Sequence, residues 1–205
     1  MAKKIKKNVK KKNFFKDNYV KSWEFLKESK NFIWVIVGIF VFFALIGFFV
    51  PAPASIAEQI MKIIQEILEL TEGMSMAELI NFIFWNNLKV SFMGMVSGIL
   101  LGIIPVLESM INGYLLGFVA SKTVLIDGFM SLWRIFPHGI FELPAVFISL
   151  ALGLRMGVYL FQKKQRKKMS FKDTIVESLR LFIFIVIPLL IIAAVIEGLL
   201  VVVLG

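Results

Sequence analysis

The stretch FIWVIVGIFVFFALIGFFV, residues 32–50, runs 19 residues without a charged side chain. A helix rises about 1.5 Å per residue, so this run is long enough to cross a hydrocarbon core of about 30 Å. It reads as a first transmembrane helix, stopped by Pro51 and Pro53. The whole chain agrees: 59% of its 205 residues are hydrophobic, against roughly 45–50% in a soluble domain. An ordinary soluble globular protein is thereby excluded. The chain has no cysteine, which removes disulfides and thiolate metal or redox chemistry.

Ahead of this span, Lys3, Lys4, Lys6, Lys7, Lys10, Lys11 and Lys12 crowd one end, and Phe14, Phe15, Tyr19, Trp23, Phe25 and Leu26 follow. Residues 1–30 therefore read as a basic cytoplasmic tail leading into a surface helix. The basic run is too long for a cleavable signal peptide and no small-residue cleavage site follows, so the first span is expected to stay in the mature protein. A second basic block, Lys163, Lys164, Arg166, Lys167 and Lys168, lies farther on. The net charge is +9. Basic clusters beside apolar spans point to a cytoplasmic face against anionic lipid, and we expect no nucleic-acid partner.

After the first span, Ser55-Ile56-Ala57-Glu58 and Ser75-Met76-Ala77-Glu78 both have the form of a capping box. Between them Ile56, Ile60, Ile63, Ile64, Ile67 and Leu70 fall on one helix side, with Glu58, Gln59, Lys62, Glu66 and Glu69 on the other. Segment 54–78 is thus expected to be an extracytoplasmic amphipathic piece, lying on the membrane or against its own protein. Further spans are expected over 88–107, 110–126, 144–161 and 181–204, with a re-entrant or interfacial segment at 129–136 and a surface segment at 171–180. The fold class is an all-α polytopic membrane protein with five transmembrane helices, its membrane domain covering 31–205. Lysine and arginine bias puts the amino terminus in the cytoplasm and the carboxyl terminus outside the cell membrane.

Gly94, Gly98 and Gly102 recur at four-residue spacing, as do Ser109, Gly113 and Gly117, and Ser149, Gly153 and Gly157. Small residues at this spacing let helix backbones approach closely in lipid. They predict packing within the chain, with a homodimer seam as the alternative.

The chemistry-bearing stretch is Pro137-His138-Gly139-Ile140-Phe141-Glu142-Leu143-Pro144-Ala145. On one helix Arg134, His138 and Glu142 would form a stripe, but Pro137 and Gly139 are expected to break it, with Pro144 in the first turn of the next span. One reading is a structural cap and Arg134–Glu142 ion pair; the other is a site that binds or moves something. A metalloprotease helix needs two histidines, and the chain has one. No nucleophile motif assembles, so neither an enzyme nor a cofactor is expected.

That stretch, preceded by Asn112-Gly113-Tyr114-Leu115-Leu116-Gly117 and by Asn86-Asn87, resembles the stage II sporulation protein M family. The resemblance covers roughly Leu79 to Gly157 and leaves out the basic tail and the Ser55 to Gly73 helix. It places Asn87, Asn112, Gly113, Gly117, His138, Gly139, Glu142 and Pro144 in the family's motif. The family's namesake is a membrane partner of two peptidoglycan-degrading proteins in forespore engulfment. The resemblance therefore implies a membrane scaffold with membrane or cell-envelope partners, and no sporulation role, since members occur in organisms that never sporulate. The alternative is a transporter, channel or permease-like subunit for a lipid or small solute, using the polar site at the helix break.

Overall fold

The computed structural model describes residues 13–134, 136–162 and 169–204, and within them every side chain except those of 133, 134, 136–138, 141, 160 and 201–204. The expected basic tip 1–12 and basic block 163–168 lie outside the described residues. The helices are α1 (Phe14–Glu28), α2 (Lys30–Phe49), α3 (Ala54–Thr71), α4 (Met76–Ser97), α5 (Ile103–Asp127), α6 (Phe136–Gly157), α7 (Phe171–Leu181) and α8 (Ile187–Leu204). No strand occurs among the described residues. Among the described residues three helical stretches, Lys30–Phe49, Ile103–Asp127 and Phe171–Leu200, are long and apolar enough to cross a membrane.

Local sequence explains most helix ends. Ser75 caps α4 reciprocally: its Oγ accepts from the Glu78 N–H, and its own N–H donates to Glu78 Oε2 at 2.9 Å. The first expected capping box does not form. α3 starts at Ala54, because the Pro53 carbonyl already accepts from the N–H groups of Ile56 and Ala57, which leaves Ser55 inside the first turn.

Two expected spans change their bounds. The stretch 88–107 is not one helix: α4 ends at Ser97, and a turn with Leu101 and Gly102 at positive φ leads into α5. The turn is apolar and exposed at Ile99, Leu100 and Leu101, so no polar residue marks it in the sequence. Pro105 sits in the first turn of α5, where its missing N–H costs nothing.

The expected break at Pro137 and Gly139 is also absent. α6 begins at Phe136, so Pro137 and Gly139 fall in its first turn, and Pro144 lies inside the helix, eight residues after its start. Pro137 initiates the helix there. Ahead of α6, Phe129–Arg134 forms a 3-10 turn.

The surface segment 171–180 and the last span are likewise one helix. α7 and α8 join through a π turn, Phe182–Val186, with Pro188 just beyond it. A proline clashes with the carbonyl four residues back, and a wider turn there removes the conflict.

Contacts fix the helix directions. Ile36, Phe40 and Ala44 of α2 meet Ser109, Gly113 and Gly117 of α5, so these two run parallel. Gly94 and Gly98 of α4 meet Leu150 and Gly153 of α6, again parallel. Phe40 stacks edge-on to Phe147 while Ile36 packs with Leu150 and Leu154, so α2 opposes α6. Ile80 against Gly198 and Phe92 against Phe182 set α4 antiparallel to the α7–α8 helix. The main core joins Met95, Ile148, Leu152, Met156, Leu181, Val186 and Leu190, with Phe25 of α1 completing it.

Candidate polar cavity and its supports

The glycine seams come first, because they decide where the bundle is tight and where it opens. A Cβ at Gly113 or Gly117 would strike the backbone of Phe40 or Ala44, and one at Gly98, Gly153 or Gly157 would strike backbone across the α4–α6 contact. At Gly94 the obstacles are the side chains of Glu108 and Leu150, and at Gly102 they are Leu154. All seven predicted packing glycines therefore face the chain's own helices. Ser109 strengthens the α2–α5 seam by donating its hydroxyl to the Ile36 carbonyl at 2.9 Å.

On α4 and α6 the seam occupies the later part of each helix. Toward their beginnings a cavity of about 790 Å³ separates them, bounded also by α2 and α5. Asn87, Asn112 and Glu142, which the sequence resemblance places in the family's motif, all line it, as does Gly139. Asn86 joins them, and apolar walls come from Phe40, Leu116, Val119 and Val146 among others. Asn86 also lines a second, shallower groove of about 470 Å³ with Glu78, Asn81, Trp85 and Lys89.

His138 sits one turn before Glu142 on the α6 backbone, and Arg134 lies in the preceding 3-10 turn. Both side chains lie outside the described residues, and with them the expected Arg134–Glu142 pair. Pro144 is exposed on α6 rather than placed at a helix start. Among the described residues, no group of three or more His, Cys, Asp or Glu could hold a metal ion.

Two ionisable residues that sequence reasoning passed over hold important positions. Arg155 is 4% exposed near the end of α6. Its Nη1 donates to Ser29 Oγ at 2.7 Å and to the Phe25 carbonyl at 3.4 Å, and its Nη2 donates to Glu28 Oε2 at 3.1 Å. The guanidinium also lies 3.9 Å over the Phe25 ring. A cation is favoured against the carbonyl end of a helix, here α1, so Arg155 fastens the α1–α2 corner to α6. The available signal was a lone arginine inside an apolar run, which calls for a partner. The second residue is Glu108 on α5, reaching toward Gly94, whose enclosed Oε2 accepts no hydrogen bond among the described residues.

The fold and site together define an all-helical protein with membrane-compatible helices, closed by glycine seams and opened, among the described residues, by a largely apolar cavity that carries a few polar groups. The chain matches the family model described as Stage II sporulation protein M over residues 36–201, and it belongs to that family. The match runs from within α2 into α8 and takes in α3, which the sequence resemblance had left outside. No curated protein and no solved structure matches the chain.

Proposed function

We propose that the protein is a non-enzymatic, multi-pass scaffold of the cell membrane that packs into a membrane complex and recruits cell-envelope partners. Its five spans are α2, α4, α5, α6 and α8, with the amino terminus cytoplasmic and the carboxyl terminus outside. The alternating directions of these helices support that arrangement, as does the basic charge that precedes α2. Within this arrangement the 3-10 turn Phe129–Arg134 is the interfacial segment.

The observation that carries the scaffold reading is α3. Ile60 is buried, yet Ile56, Ile63, Ile67 and Leu70 remain exposed along the same apolar side. Glu58, Glu66, Glu69 and Glu72 outnumber Lys62 on and just after this helix. That acidity disfavours an anionic lipid surface and fits a protein groove with an apolar floor and a basic rim. A photo-crosslinking residue at Ile63 or Ile67, activated in native membranes, is expected to give one discrete protein adduct. Glu66→Lys with Glu69→Lys should abolish it. Adducts with lipid alone would overturn the scaffold reading, and an adduct of twice the chain's mass would make the partner a second copy.

A transporter or channel for a lipid or small solute is the second reading. One observation favours it: Asn112 lines the cavity beside Phe40, the middle of α2, and midplane polar sites at helix interfaces suit transport. Solute or lipid flux in vesicles containing the purified chain tests it, with Glu142→Ala expected to stop any flux.

A further inference from the structure

We infer that the outward face of α4 is the seat of one transmembrane helix from another protein, a helix that carries a carboxylate at the depth of Lys89. This rests on the five-span arrangement, in which α4 crosses the bilayer, and gives the scaffold a second docking surface beside α3.

The face is polar where lipid would otherwise meet it. Asn81, Trp85, Asn86 and Lys89 recur at helical spacing and are all exposed, and with Glu78 and Met74 they line an open groove of about 470 Å³. Leu79, Ile83, Gly94 and Met95 take the buried side of α4. Beyond Lys89, the exposed Phe92 and Met93 return the outward face to apolar.

Lys89 sets the depth. It lies roughly 20 Å from Met76 and roughly 12 Å from Ser97 along the helix, at about 1.5 Å per residue. A helical side chain leans toward the start of its helix, so Lys89 shares its groove with the preceding Trp85 and Asn86 and leans away from the nearer end of α4. Lys122, the exposed lysine of α5, sits instead about one and a half turns from the end of its helix, close to the surface. Lys89 makes no ion pair among the described residues. An ammonium and two amides in hydrocarbon are costly until a partner engages them.

The charges choose the occupant. A lipid phosphate stays at the headgroup level, outside the hydrocarbon core and out of reach of Lys89. A second copy of the chain, inserted the same way up, would meet this face at equal depth and set Lys89 against Lys89. The acid of the same face, Glu78, lies roughly 16 Å from Lys89 along the axis and is already bonded to Ser75. What remains is a foreign helix whose carboxylate answers the ammonium and whose polar side chains answer Asn81 and Asn86.

The test uses the purified full chain in phosphatidylcholine vesicles, with one dye on Glu72→Cys and a second on a synthetic leucine–alanine transmembrane helix. By energy transfer, a probe helix with one glutamate at the depth of Lys89 is expected to bind about tenfold more tightly than the same helix with leucine there. Lys89→Met should abolish that preference, and Lys89→Glu should pass it to a probe bearing lysine. Both variants replace an exposed side chain, so neither strains the bundle. Equal binding of the glutamate and leucine probes, or a preference that survives Lys89→Met, would overturn the inference. So would energy transfer between two copies that competes with the probe, which makes the occupant a second copy. Rapid labelling of Lys89→Cys from outside by an impermeant maleimide would also overturn it, since water would then fill the groove. The five-span arrangement stands or falls separately, on whether Glu72→Cys and Ser170→Cys are labelled from opposite sides, and the scaffold reading is tested apart from both at α3.

Discussion

Arg155 shows what a single side chain contributes. Replacing it with methionine keeps much of the aliphatic stem and removes three hydrogen bonds to Ser29, Phe25 and Glu28. Because Ser29 is buried and Glu28 is mostly exposed, the loss falls chiefly on the hydroxyl and carbonyl left without a donor. A fall of about 1–3 kcal/mol in stability is expected, read as a lower thermal midpoint in detergent with earlier proteolysis at the α1–α2 corner. Glu28→Gln should cost under about 1 kcal/mol, since its side chain is 62% exposed. Glu108→Gln is expected to leave the midpoint unchanged or raise it, because it removes an enclosed charge at constant shape; a clear drop would show that the carboxylate is held. At this scale the sequence was informative where polar residues stood out in apolar runs. Glu142 stands out in this way, whereas Asn87 and Asn112 are singled out with it through the family resemblance; all three line the cavity. Arg155 was equally visible but unplaced, since its partners lie more than 120 residues away, at positions 25, 28 and 29.

Among the helices, the small-residue ladders make the sharpest contrast. Gly117→Leu puts a side chain into the backbone of Ala44. Its cost should reach or exceed the about 1–3 kcal/mol of an overpacked core, with α2 and α5 separating as seen by loss of a disulfide engineered between them. Gly38→Ala on the same α2 meets open space, and its effect should lie between zero and a gain of about 0.5–1 kcal/mol. A destabilised Gly38→Ala would place an unseen neighbour there. The ladders were readable from spacing alone, whereas the α4–α5 turn was not. Hydrophobicity stays high through Gly98-Ile99-Leu100-Leu101-Gly102, and it is the backbone conformation of Leu101 and Gly102 that distinguishes a turn from a helix carrying glycines. The proline errors share another cause. Pro137 reads as a breaker and Pro144 as a helix start, but near a helix start the first needs no N–H partner, and a packed helix tolerates the second in its interior.

The whole molecule makes a prediction that its composition helps to test. The chain lacks cysteine, so single cysteines introduced at Glu72, Met130 and Ser170 report without background. With five spans, an impermeant maleimide should label the first two from outside intact cells and Ser170→Cys only after permeabilisation. Glu72→Cys and Ser170→Cys labelling from one side would remove a span from the arrangement. The π turn in the last helix bears on the molecule as a whole. Thr174, Ser178 and Leu181 are buried before it, Phe182, Ile185 and Val186 within it, and Leu190 and Ala194 after it. The stride of five from Leu181 to Val186 is one residue longer than the four that separate Val186, Leu190 and Ala194. A π turn bonds each residue to the fifth rather than the fourth along, so a stride of five is about one full turn there, and Leu181 and Val186 stay on one buried side of the rod. Phe182–Val186 is in effect slack in the rod, taking up one extra residue without turning it. Removing one residue from it should leave an unbroken α-helix with the same side buried against α1, α4 and α6, read as a thermal midpoint that changes little.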